Sequence, residues 1–203
     1  MDFDSETLQY YIMKGKVMEL KAEEKKGTLK KLVNVDFDNG KSPLNTAIYK
    51  KTSTIVTILI DNGADVNYID GNGGLPLVNS ANTNTFIIAP LLKAGAEVNK
   101  ESTYGSTAFT KVLGDRDRKG EGLAVALISD KHFDITKEEF KPDMLLQQSI
   151  KNKWDRVTAL ILKTGFDFDY EDLRNVGDGT KKIIDKHLGL KKLGKYADLL
   201  GDI

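Results

Sequence analysis

Ser42-Pro43-Leu44-Asn45-Thr46-Ala47 is answered further along the chain by Leu75-Pro76-Leu77-Val78-Asn79-Ser80-Ala81, and the two prolines stand 33 residues apart. Behind each copy comes a second phrase: Gly63-Ala64-Asp65-Val66-Asn67 and, 32 residues later, Gly95-Ala96-Glu97-Val98-Asn99. Two phrases that keep step at this spacing mark an internal repeat, and a repeat decides the architecture before any single element is assigned. Within one period Ser42 suits a helix N-cap. Pro43 suits the first turn, where its missing N–H would be unpaired anyway. Leu44, Ala47 and Ile48 then share a face, with Ala47 small enough to admit a neighbouring helix. Thr52 or Ser53 opens a second helix whose stripe is Ile55, Val56, Leu59 and Ile60. Gly63 falls just past its end, where a left-handed residue costs little. Propensity alone reads Thr52–Ile60 as a strand, because it is rich in β-branched residues. The helical spacing of its apolar positions and the repeat frame override that reading. Asp38-Asn39-Gly40 and Asn72-Gly73-Gly74 are turn signals between units.

A period near 33 with a Pro-Leu-x-x-Ala start and a Gly-Ala-Asp-Val-Asn end resembles the ankyrin repeat. The resemblance implies an all-α solenoid of about five stacked helix-turn-helix units with hairpin turns and degenerate ends, forming one domain over 1–203. The units are expected at about 5–33, 34–66, 67–98, 99–135 and 136–168, with a C-terminal cap over 169–203. Pro90 lies inside the second helix of the third unit and is expected to bend it. The next unit has Thr107-Ala108-Phe109 in place of Thr-Pro-Leu. About four residues are inserted there, in the polar loop Asp115–Gly122, with the second helix expected from Leu123. The first unit is expected to carry about three extra residues near Lys21–Gly27. The histidine usual after Pro-Leu is Asn45 in one unit and Val78 in the next. That change, and the missing proline, are expected to weaken the bonding between turn and helix.

Composition narrows the function. The 203 residues hold 30 Lys+Arg against 30 Asp+Glu, so there is no basic excess of the kind a nucleic-acid binder shows, and no nucleic-acid partner is expected. There is no cysteine, which excludes disulfides, Cys-ligated zinc and thiol nucleophiles. The longest apolar run, Leu123–Ile128, is far short of the ~18 residues that span a bilayer, so no membrane is expected. The acidic opening Met1–Glu6 is not a signal peptide as it stands. The expected location is cytoplasmic, or exported or periplasmic where a signal peptide has been removed.

Catalytic chemistry finds little support. The only histidines, His132 and His187, are 55 residues apart and fall in different units. Both read as helix-end residues. Asp167, Asp169 and Asp172 lack the glycine and closing glutamate of a calcium loop and match the ordinary repeat ending. Gly177-Asp178-Gly179-Thr180-Lys181 lacks the full phosphate-loop spacing. Lys21–Lys31 and Lys181–Lys195 read as solvated helix faces, and Trp154 reads as a packing residue. No catalytic, cofactor-binding or metal-binding residue is assigned, and no cofactor is expected.

By position, the resemblance implies a concave face of hairpin tips and first helices that grips another protein, such as an enzyme or toxin that it masks, with the chain a monomer when free. The candidate contact residues are Phe37, Asp38 and Asn39; Tyr49 and Lys50; Asp70 and Asn72; Asn82 and Thr83; Thr103 and Tyr104; Lys151 and Asn152. An aromatic side chain at such a tip is costly in water and useful against a partner. The competing expectation is an enzyme or ligand-binding domain that uses the 115–122 insertion or the C-terminal segment.

Overall fold

The computed structural model describes residues 3–114, 120–137 and 141–164, together with Lys182. Among them the regular structure is helical, with no strand. Five helix pairs follow one another: α1 (Ser5–Met13) with α2 (Val17–Lys26), α3 (Pro43–Tyr49) with α4 (Ser53–Asp61), α5 (Pro76–Asn79) with α6 (Thr85–Lys93), α7 (Ala108–Gly114) with α8 (Gly120–Ile128), and α9 (Pro142–Lys151) with α10 (Asp155–Leu162). The first helices pack in a row, α1 on α3, α3 on α5, α5 on α7 and α7 on α9. The second helices form a parallel row, α2 on α4, α4 on α6, α6 on α8 and α8 on α10. This is a solenoid, and each pair buries its apolar stripe on the next.

The strand-like stretch is α4, with Ile55, Val56 and Leu59 fully buried. Each such side chain contributes about 1.5–3 kcal/mol on leaving water. Stacking therefore outweighs the weak strand preference of β-branched residues. Ser42 caps α3, its Oγ accepting from Asn45 N at 3.1 Å, with Pro43 in the first turn. The unit without proline is capped in another way. Thr107 Oγ1 accepts from Thr110 N at 3.1 Å, while Thr110 Oγ1 accepts from Thr107 N at 3.2 Å. This reciprocal box does the work of a capping box and corrects the expectation of a weakened helix start.

Other details depart from the sequence reading. The first helix of the third pair is cut short and continues as a 3-10 turn, Ser80–Asn82, where Ser80 Oγ bonds back to Leu77 O at 2.7 Å. Helix α6 runs on through Pro90, which has no N–H to offer the Phe86 carbonyl. Lys21–Lys26 are part of α2 and not an insertion. Helix α8 begins at Gly120, ahead of Leu123, and Trp154 explains the glycine. A Cβ on Gly120 would lie 2.7 Å from the indole ring, so the bare backbone is the seat for a tryptophan that is 2 % exposed. Of the inserted loop, residues 115–119 lie outside the described residues. The same holds for His187, Asp167, Asp169, Asp172, the Gly177–Lys181 turn and the expected cap.

Asparagines lock consecutive helix pairs together. Asn34 donates Nδ2 to Gly63 O at 2.9 Å and accepts Asp65 N at 2.8 Å. Asn67 does the same with Gly95 O at 2.9 Å and Glu97 N at 2.8 Å. Asn99 holds both backbone groups of Asp134, each at 2.9 Å. The turn inside a helix pair also recurs. Gly15, Lys51 and Lys153 each sit two residues past a first helix with φ of 66°, 56° and 58°.

Candidate functional site

The hairpins between units are built alike. Phe37 N donates to Lys41 O at 3.0 Å and Gly40 N to Phe37 O at 2.7 Å. Asp70 with Gly74, and Ser102 with Ser106, repeat the pattern. Gly40, Gly73 and Gly105 hold φ near +74°, a conformation that favours glycine. The tips lie side by side. Asn72 N donates to Gly40 O at 3.2 Å, Asn72 Nδ2 to Asn39 O at 2.8 Å, and Tyr104 Oη to Asn72 O at 2.9 Å.

The first residue of each hairpin turns inward. Phe37 is 4 % exposed, Asp70 5 % and Ser102 8 %. This corrects two of the candidate contact residues. The Phe37 ring belongs to the core, and Asp70 is a structural acceptor. Asp70 Oδ2 accepts from Ser42 N at 3.2 Å and Asn45 Nδ2 at 2.7 Å. Its Oδ1 accepts from Gly74 N at 2.9 Å and Asn72 N at 3.1 Å. Asn45 also donates to Gly74 O at 2.9 Å and accepts from Asn79 Nδ2 at 3.0 Å. Far from weakening the network, Asn45 ties two units into one buried polar floor. Gly74 is part of the fit, since a Cβ there would meet Asn79 Nδ2 at 2.6 Å.

Above this floor lies a groove of about 410 Å³ that runs across the second, third and fourth units. The structure brings Tyr49, Asn72, Asn82, Thr83 and Tyr104 together along it. Tyr49 is 69 % exposed and Tyr104 75 %. Asp38, Asn39, Lys50 and Thr103 are exposed but do not line the groove. Lys151 and Asn152 belong to the last described pair. Asn152 is engaged there, donating to Leu113 O at 3.0 Å and accepting from Gln148 Nε2 at 3.1 Å.

Sequence reasoning missed three groove lysines, Lys41, Lys51 and Lys111. The Lys41 ammonium stands 4.5 Å from the centre of the Tyr49 ring, within cation–π range. The repeat frame alone could have found Lys111, because it occupies the helix position of Asn79 one unit on. At the edge of the tips, Tyr68 donates to Asp36 Oδ2 at 3.1 Å, and this bond raises the phenol above its ordinary pKa.

Elsewhere, His132 is exposed, with Nδ1 3.4 Å from Asp130 Oδ1. Glu121, from the insertion, accepts Arg156 N at 3.1 Å at the start of α10. Among the described residues no group of three or more His, Cys, Asp or Glu is placed to hold a metal, and no helix is long and apolar enough to cross a membrane.

No curated protein matches the chain. A family model, that of ankyrin repeats in three copies, matches residues 11–102. That span takes in α2 through α6, the first two of the three stacked tips, the Asp70 floor and most of the groove. Repeats of this kind are generally protein–protein interaction modules. By its period, its stacked pairs and this match, residues 11–102 of the chain are ankyrin repeats.

Proposed function

We propose that this protein is a stoichiometric binding protein that holds one protein partner in the groove between Tyr49 and Tyr104, acting as an inhibitor, an immunity or self-protection protein, or an adaptor. The observation that carries the reading is the pairing of two exposed tyrosines with a rigid, internally satisfied floor. The floor is already fixed by hydrogen bonds, so little ordering cost falls on this side when a partner arrives. Tyrosine is enriched among residues that dominate binding energy. A standard interface takes ~800 Å² per partner, which a concave face five units long can supply. The competing enzyme reading draws no support from Glu121, which serves as an acceptor at the start of α10.

Capture from the source cell's lysate tests the proposal, with Tyr49→Ala and Tyr104→Ala as controls. The expected result is a specific protein retained by the parent chain and reduced in both variants, at unchanged melting temperature. Retention indifferent to both changes would move the binding site elsewhere.

A further inference from the structure

We infer that the groove takes an acidic segment: an extended stretch of the partner protein that presents Asp and Glu side chains. This rests on the reading of the groove as the partner's seat. The chain as a whole is balanced, with 30 basic and 30 acidic residues, so a local excess of charge comes from placement. Lys41 and Lys51, which flank α3, and Lys111 on α7 all line the groove. The one carboxylate among the described lining residues is Asp70, and it is turned into the floor. Both its oxygens are taken by four N–H donors of the protein itself. What faces an incoming chain is therefore three ammonium groups against one carboxylate held down in the floor, a lining of net positive charge.

A segment carrying Lys or Arg would meet like charge at both ends of the groove, which is how interfaces reject wrong partners. A segment carrying carboxylates finds three ammonium donors and two tyrosine rings against which its backbone and side-chain stems can lie. Lys41 rests over the Tyr49 ring, so its charge is held at the aromatic rim. At physiological salt the Debye length is ~8 Å, so the attraction acts at contact range and weakens as salt rises.

The test pans the full chain against a displayed library of random peptides about twelve residues long, then measures affinities for a synthesised winner. Enrichment in Asp and Glu is expected. The winner should bind at least about tenfold more weakly to Lys41→Glu/Lys111→Glu, and several-fold more weakly between about 50 and 300 mM salt. The charge-reversed protein should select Lys- and Arg-bearing peptides instead. Lys41→Gln/Lys111→Gln, which removes the charge and leaves a polar side chain one atom shorter, repeats the affinity test if reversal disturbs folding. Neutral peptides that are lost on Tyr49→Ala and Tyr104→Ala would overturn the acidic occupant and leave the groove as the binding site. Peptides indifferent to both lysine and tyrosine changes, or no enrichment at all, would overturn both readings. Labelled single-stranded DNA held more tightly than any selected peptide, and released by the lysine changes, would also overturn the proposal.

Discussion

Asn45 and Asp70 belong to successive units and are joined by a 2.7 Å hydrogen bond from Nδ2 to Oδ2. Asp70 is buried, and all its bonds are acceptances. Asp70→Asn therefore turns an amide NH2 toward N–H donors. The expected cost is about 2–4 kcal/mol, as for other buried polar networks broken on one side. Urea unfolding checks it. A loss well under 1 kcal/mol would mean that the floor is not rigid.

The turn after each first helix sets up a second prediction. Lys51 and Lys153 hold the left-handed conformation that Gly15 holds in the first pair. Backbone closure is the same at all three, with the N–H of the left-handed residue bonded to the carbonyl three residues back. A side chain there costs about 1–2 kcal/mol, partly offset by the greater freedom glycine loses on folding. Lys153→Gly is expected to raise stability by about 0.5–1 kcal/mol in urea melts. It should leave groove binding unchanged, since Lys153 does not line the groove. A destabilised variant would show that the lysine has another role.

Glu23 links charge to folding at the start of the array. The Lys26 ammonium at 2.7 Å, and then the Thr28 hydroxyl at 2.8 Å, hold its carboxyl below the ordinary glutamate range. A carboxyl lowered in this way stabilises the fold fully above that ordinary range, and the contribution is lost as pH falls through the lowered value. Glu23→Gln is expected to cost about 1 kcal/mol near neutral pH, because Lys26 is largely exposed and its share is screened. The gap from the parent should close in acid. Melting curves across pH check it, and a gap constant with pH would remove the electrostatic cause.

Periodicity made the architecture legible, because the spacing of the two prolines and of the two Gly-Ala phrases overrode local preference at Thr52–Ile60. The exposed rim was legible too, at Tyr49 and Tyr104. What could not be read was direction within a turn. Phe37 and Asp70 lie beside glycine-rich tips in sequence, yet they occupy the stem position whose side chain points inward. Partnerships across units were hidden for a related reason. Asn45 looked like a lost histidine because its partner Asp70 is 25 residues away, and the bond exists only once the units are stacked. The groove lysines went unread because a balanced composition says nothing about where charges gather.

The asparagine clamps at Asn34, Asn67 and Asn99 each join the end of one helix pair to the end of the next. A protein fastened only link to link has no keystone, so tension applied at its two ends should be released one hairpin at a time. Stretched singly in an optical trap, it should lengthen in successive steps of about 100 Å, the reach of a released period of roughly 33 residues. One abrupt extension of the whole array would instead mean that the links give way together.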